Sequence, residues 1–388
     1  MDNAVTKKKT VTVIYRFLPQ YRVDFFNQLR ERLREDGIRF NLVYGKNREC
    51  PKQDEVDLDW GISVKNRNIN ILGQSFLWQP IPNSVYDSDL IILLQENRIL
   101  SNYTVTAKAR RRGIKMGLWG HGVNLQAERG SLGNRWKRMV STNADWWFAY
   151  TEGVKSIVES MSFPSDRITV VQNAIDTQSL VNEMSRVRAD ELEKLKSEIG
   201  LQGTSVGIYC GRFYKEKRIE FLLEACRRLK YEVPEFEAII VGSGADQGLV
   251  EAASSKYPWI HSVGAKFGMS RVRYFLLSDI FLMPGAVGLA VLDGFALRTP
   301  MITTKYAYHG PEVEYIENNN NGIITADNLD AFVEGVKRVL QSKELLARLR
   351  DGCGLAVQRY TLSAMVENFA TGIKAALHAP RRNEKVTA

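Results

Sequence analysis

Two cations five residues apart, Arg212 and Lys217, follow an apolar run that ends in a glycine: VGIYC, then Gly211, then RFYKEKR. The glycine lets the backbone turn at a strand end, and the two side chains can converge on one diphosphate. Arginine offers a planar fork and lysine a point charge. Where the diphosphate is a leaving group, cations beside it stabilise the charge it acquires. The plainer alternative is a solvated basic loop in a chain of net charge +9. A second glycine turn, Gly242-Ser243-Gly244, follows the apolar run EFEAIIV. With Gly248 it imitates a dinucleotide fingerprint, which needs an acid at the end of the next strand to hold a ribose. That strand ends Val263-Gly264, so the nicotinamide reading lacks its acid.

The stretch 284–303, PGAVGLAVLDGFALRTPMIT, runs from a strand through a Pro-Gly turn and a small-residue loop into an apolar helix and a new strand. The first N–H groups of such a helix face the sheet's C-terminal edge, where phosphate and hydroxyl groups bind. Asp293 is the charged residue of that helix. It is read as a carboxylate accepting hydrogen bonds from sugar hydroxyls; a first-turn acid that merely suits the dipole is the alternative. His121 lies between Gly120 and Gly122 after the apolar run IKMGLW. A histidine in that loop is poorly explained as core, and a simple turn residue is the alternative. In HGPEVEYIENNNNG (309–322), Pro311 reads as a helix N1 residue and Glu312 as a first-turn acid, a capping arrangement that needs no function. By topology the same loop borders Gly285–Leu289, which makes Glu312 the nearest second carboxylate, with His309 to assist. The triplets Asp57-Leu58-Asp59 and Asp87-Ser88-Asp89 invite a metal reading. Neither has the setting, since one lies in an irregular polar stretch and the other leads into a buried strand. No His/Cys/Asp set has zinc spacing, and no metal site is expected.

Taken together these stretches resemble the family 4 retaining glycosyltransferases. That family's loop carries two glutamates with seven residues between them. Aligned on Thr299-Pro300, Asp293 falls at the second and Gly285 at the first. GRFYKEKR resembles the family's Gly-Arg-Leu-x-x-x-Lys-Gly at Gly211, Arg212 and Lys217, and VGSGAD its Val-Gly-x-Gly-Pro element except at the proline. The resemblance implies an α/β fold of two Rossmann-like domains facing across a cleft, the GT-B architecture. It implies that Arg212 and Lys217 bind the donor diphosphate, that Gly242, Gly244 and Asp293 bind the nucleotide, and that the backbone at Ala265–Lys266 faces the base. His121 would orient the donor sugar as a neutral hydrogen-bonding group. Asn173 and Asp176 match the family's Pro-Asn-Gly-x-Asp element and are read as structural. Gly285 has no side chain, so the site uses amides of the 285–289 loop, Gly288 and Leu289 included, or has lost activity; an active variant is favoured because the other residues are present. The implied reaction is metal-free transfer from a UDP- or GDP-linked sugar, with retention, to a lipid-linked or saccharide acceptor in bacterial surface polysaccharide assembly. Two rivals stand beside it: a non-catalytic sugar-nucleotide-binding protein and a basic surface-interaction protein.

The elements that must position these residues follow from the rest of the chain. At 388 residues there is room for two domains. Strand and helix alternate from VTVIYRF (11–17) onward, with continuous apolar runs such as DLIILL (89–94), which is the pattern of a mainly parallel, doubly covered sheet. Residues 46–82 read as irregular, 131–143 as a helix, and 180–200 as one charged helix bridging two domains. The expected boundaries are an N-terminal acceptor domain over 1–178, a linker over 179–202, a nucleotide-sugar domain over 203–355, and a helix with a basic tail over 356–388 that packs back on the first domain. Lys+Arg 53 against Asp+Glu 44 suits anionic partners. The clusters KARRRGIK (108–115) and RWKR (135–138) suggest peripheral contact with an anionic membrane. Nucleic acid is disfavoured, because no recognisable module is present. Four cysteines without CxxC spacing, no signal peptide and no apolar run near the ~18–20 residues that span a bilayer point to the cytoplasm or a membrane's cytoplasmic face.

Overall fold

The computed structural model describes residues 8–46, 56–71, 73–122 and 141–382. The expected helix at 131–143 and the cluster at 135–138 lie almost wholly or wholly outside them. The chain divides into two units, Met1–Ile175 with Leu362–Ala388, and Asp176–Thr361.

The first unit is built on seven parallel strands. In chain order they are β1 (Thr10–Tyr15), β2 (Arg39–Lys46), β3 (Ile62–Lys65), β6 (Leu90–Leu94), β7 (Lys115–Gly120), β8 (Trp146–Ala149) and β9 (Ile168–Val170). They lie in the order β3-β2-β1-β6-β7-β8-β9. The runs LIILL and WWFA are buried at every residue, as strands covered on both faces require. The covering helices are α1 (Val23–Glu35), α2 (Leu100–Arg111) and α3 (Glu152–Ser160). A fourth, α12 (Leu362–His378), returns from the C-terminus. Phe369 of α12 stacks on Phe148 at 4.5 Å between ring centroids and meets Trp119 edge-on at 5.0 Å. Gly372 brings the helix so close that a Cβ there would stand 2.6 Å from Thr169 Oγ1.

Residues 46–82, expected to be irregular, contain β3 and a separate antiparallel hairpin, β4 (Arg67–Ile71) and β5 (Gln74–Trp78). Every residue of β4 is exposed, and asparagine alternates with isoleucine along it. Asparagine is depleted in strands, which masks the period-two pattern.

The second unit carries six parallel strands. They are β10 (Ser205–Cys210), β11 (Phe236–Val241), β12 (Ile260–Gly264), β13 (Ile280–Met283), β14 (Met301–Thr304) and β15 (Gly322–Thr325), in the order β12-β11-β10-β13-β14-β15. The expected bridging helix is two: α4 (Thr177–Met184), capped by Asp176 through Ser179 N–H, and α5 (Ala189–Glu198), which starts after an extended Arg188. Around the sheet lie α6 (Ile219–Glu232), α7 (Gln247–Lys256), α8 (Met269–Leu276), α9 (Ala290–Ala296), α10 (Leu329–Gln341) and α11 (Lys343–Arg359). The order places β10 and β13 side by side in mid-sheet, so the loops that leave their C-terminal ends are neighbours.

Phe369→Ala should remove about 3–5 kcal/mol from the first unit, because the rings of Phe25, Phe148 and Trp119 lose their partner. Hydrogen exchange by mass spectrometry should show protection falling across β7, β8 and α12 while β10, β11 and β13 keep theirs. Equal loss in both units would contradict this division of the core.

Candidate functional site

The second sheet's C-terminal edge gathers four loops. After β10, the segment Gly211–Phe213 lies directly on the turn after β11. Phe213 N–H donates to Ser243 O at 2.9 Å, and a Cβ on Gly244 would stand 2.7 Å from Phe213 N. Gly242 is equally constrained, its missing Cβ pointing at the Gly211 carbonyl. These two glycines are therefore spacers that let one loop rest on another. Arg212 projects to an exposed position, and its carbonyl is held by Tyr209 OH at 2.8 Å.

Lys217 behaves differently. It ends a 3-10 turn, Lys215–Lys217, and is 9% exposed. Its Nζ donates to the carbonyl of Ala286, in the loop after β13. Burial pulls its pKa down from the usual lysine value to about 8, with the nearby Glu312 and Cys210 acting in the opposite sense. The same loop touches this turn through its backbone. Ala286 N–H donates to Glu216 O at 2.8 Å, and a Cβ on Gly285 would meet the Glu216 carbonyl and lie 2.6 Å from Lys217 C. Gly285 is where two backbones touch.

The loop's other side is clasped by His309. Nδ1 accepts from Val287 N–H at 3.0 Å and Nε2 donates to Thr304 O at 2.7 Å. Only neutral imidazole satisfies both bonds, and burial lowers its pKa in the direction that keeps it neutral. Gly310 N–H adds a bond to Val287 O at 2.7 Å. Glu312 is 4% exposed, and its Oε2 would be 2.7 Å from a Cβ on Gly310. Gly288 has nothing within 4 Å of where its Cβ would be, so the loop opens there.

Asp293 sits inside α9 at 5% exposure, its Oδ2 paired with Arg271 Nη1 of α8 at 3.1 Å. Burial raises its carboxyl pKa and Arg271 opposes that rise. Its Oδ1 has no hydrogen-bond partner among the described residues, so one acceptor of a buried carboxylate remains to be satisfied. Ala265 is exposed after β12, and Lys266 is half-buried with Nζ 5.9 Å from the Tyr274 ring centroid. In the first unit, His121 follows β7 and leans on Tyr150 with centroids 4.5 Å apart. The residue as a whole is exposed, yet its ring is closely surrounded, and desolvation pushes its pKa below the ordinary histidine value.

Residues 193–352 match the family of glycosyl transferases group 1. Alpha-monoglucosyldiacylglycerol synthase of Acholeplasma laidlawii is 23% identical over 212 residues, 52% of this chain and 51% of that protein. Spore coat protein SA of Bacillus subtilis is 26% identical over 212 residues, 48% of this chain and 53% of that protein. The chain thus spans about half the length of these curated relatives. Among solved structures, Anabaena HepE in complex with UDP superposes with a TM-score of 0.69 at 13% identity, covering 94% of this chain and all of that one. The lipopolysaccharide outer core galactosyltransferase WaaB superposes with a TM-score of 0.65 at 16% identity, covering 94% of this chain and 99% of that one. The fold is GT-B, as the family resemblance implied, and its two parallel-sheet α/β domains are those the strand and helix pattern led one to expect. The matches support the glycosyltransferase group 1 family.

Of the residues singled out from sequence, the structure draws Lys217, Gly285, Gly288, Leu289 and Glu312 around one loop, and Gly211, Arg212, Gly242 and Gly244 around its neighbour. Asp293 is placed one layer deeper, against Arg271. Sequence reasoning missed Arg271, which lies 22 positions before its partner in an ordinary amphipathic helix. The available signal was Asp293 itself, since a buried acid calls for a cation. Arg22, at the end of the loop after β1, is interior at 1% exposure. It donates to Ala174 O at 3.1 Å and to Asn173 Oδ1, and lies among the rings of Tyr21, Phe25 and Trp119.

Two outcomes follow. Restoring the family's glutamate as Gly285→Glu should force two backbones apart, lowering the melting temperature by the equivalent of about 1–3 kcal/mol and weakening nucleotide binding. A variant that melts normally and binds better would refute the close-contact account. Arg271→Met should leave Asp293 buried without its counter-charge and lift its carboxyl pKa further. Calorimetry of UDP binding should then show affinity falling as pH is lowered across a range where the parent is flat, with Arg271→Lys in between. Parallel pH profiles for all three would dismiss the pairing.

Proposed function

We propose that this chain is a glycosyltransferase that moves a sugar from a UDP- or GDP-linked donor to an acceptor, with retention at the anomeric carbon. The observation that carries the reading is Lys217. A buried ammonium, bonded to the Ala286 carbonyl beside Glu312, sits in the segment that matches the family. A donor diphosphate arriving at the opening by Gly288 would compete with that carbonyl for the ammonium, and exposed Arg212 would close on it from the next loop. Cations placed before the reaction stabilise the leaving diphosphate without reorganising. The reading gives the diphosphate's charge to these two side chains and asks for no metal. Asp293 Oδ1 then takes a ribose hydroxyl, Glu312 a sugar hydroxyl, and His121 serves as a neutral hydrogen-bonding group.

The acceptor reading draws on what the relatives are named for, a glucosyldiacylglycerol in one and a lipopolysaccharide core in another. We assign a lipid-linked or saccharide acceptor in bacterial surface polysaccharide assembly, met at the cytoplasmic face of the inner membrane. Among the described residues no helix is long and apolar enough to cross a membrane.

The test is nucleotide release from a panel of sugar nucleotides, with and without bacterial membrane lipid extract. Release from one donor, raised by lipid and lost in Arg212→Ala and Asp293→Ala, is the expected result. Because Lys217 is charged below its pKa, donor affinity should fall as pH rises from about 7 to about 9, and Lys217→Met should remove both the affinity and the slope. Tight donor binding with no release under any condition would make this a binding protein, and no binding at all would overturn the reading.

A further inference from the structure

The hairpin β4–β5 stands apart from both large sheets and has two unlike faces. Its register pairs Arg67 with Trp78, Ile69 with Phe76 and Ile71 with Gln74 on one face, and Asn68 with Leu77 and Asn70 with Ser75 on the other. The second face is the anchored one. Leu77 is buried at 5% exposure, its N–H donates to Arg98 O at 2.8 Å, and buried Gln79 just beyond donates Nε2 to Tyr15 O at 3.1 Å. The first face is left uncovered, with Ile69 37% and Ile71 46% exposed and Phe76 and Trp78 half-buried.

Charge decides what this face fits. From Trp60 to Tyr86 the chain holds no aspartate or glutamate, and its charged residues are Lys65 and Arg67, both exposed. We propose that this face of the hairpin docks on an anionic lipid bilayer, with Ile69, Ile71 and Phe76 entering the headgroup boundary while Arg67 and Lys65 meet lipid phosphates. Trp78 opposite Arg67 places an aromatic ring and a cation at the hairpin's anchored end, the pairing favoured at membrane interfaces. Five residues of strand reach only about 17 Å, and an open two-stranded edge has unpaired backbone groups that hydrocarbon does not tolerate. The hairpin therefore dips in and does not span. A second copy is the poorer occupant, since a self-complementary contact brings Lys65 and Arg67 against their own equivalents with no acid between them. The proposal deepens the transferase reading by supplying the surface where a lipid-borne acceptor is met.

The full chain would be sedimented with phosphatidylcholine vesicles and with vesicles that also contain phosphatidylglycerol. Binding to the anionic vesicles alone is expected, falling about tenfold in Ile69→Ser/Ile71→Ser and as steeply in Lys65→Glu/Arg67→Glu. Lys256→Glu, a charge change on α7, should bind as the parent does. Melting curves and UDP binding, measured on every variant, should stay at the parent's values. No vesicle binding, or binding unchanged in the isoleucine variant, would overturn the proposal. So would a parent dimer that the isoleucine variant dissolves, which would give the face to a second copy. UDP binding separates the two readings, because its absence with vesicle binding intact would sink the transferase and leave the bilayer contact standing.

Discussion

The second unit's site depends on one backbone contact. Gly285 lies against the Glu216–Lys217 peptide with no space for a side chain, and Ala286 returns a hydrogen bond to Glu216 O at 2.8 Å. From that contact the rest follows. It brings the Ala286 carbonyl within reach of Lys217 Nζ, and with Val287 fixed by His309 and Gly310 it leaves Gly288 as the open end of the loop. A loop tied to two other loops by backbone bonds costs little to order again when a ligand arrives, which is what preorganisation means in energetic terms. The absence of a glutamate at position 285 is a packing consequence before it is a functional one.

Burial then sets the charges. Lys217 and Asp293 are held away from water on the same sheet edge, Asp293 against the partly exposed Arg271, and there an unpaired charge is costly. Each is answered only in part. Lys217 has a carbonyl and the field of Glu312 in place of a direct carboxylate partner, and Asp293 has one oxygen paired and one without a partner. Incomplete satisfaction inside a folded core is where a polar ligand gains most, because it supplies bonds the protein lacks. On the function proposed above, a diphosphate would answer the first deficit and a hydroxyl the second, and a nucleotide sugar carries both.

The α/β alternation, the glycine turns and the loop after β13 were legible because each is written in contiguous residues: an apolar run, a Gly, a change of period. What escaped was written across distance. Gly285 reads as a lost acid until Glu216, 69 positions earlier, is found beneath it. Arg271 has no spacing that ties it to Asp293, and the interior place of Arg22 depends on Trp119 and Asn173, 97 and 151 positions later. The hairpin escaped for a local reason, since the asparagines of RNINI hide an alternation that its isoleucines keep.

Arg22 also shows how the first unit secures its own edge. Its guanidinium bonds Asn173 and Ala174, which follow β9, and lies 3.4 Å from Met365 Sδ of α12, whose sulfur also receives Ala174 N–H at 3.3 Å. Three segments remote in sequence, the loop after β1, the strand exit before Asp176 and the C-terminal helix, thus share one buried cation. A buried guanidinium needs partners for its donors and its faces, and here carbonyl, amide and thioether take the terminal nitrogens and aromatic rings the faces, while Nε has no hydrogen-bond partner among the described residues. The aromatic contacts of Phe369 hold the same helix a turn further on. The C-terminal helix is therefore part of the first unit's core and a support for its loops. A change at Met365 should be felt at Asn173, although 192 positions separate them.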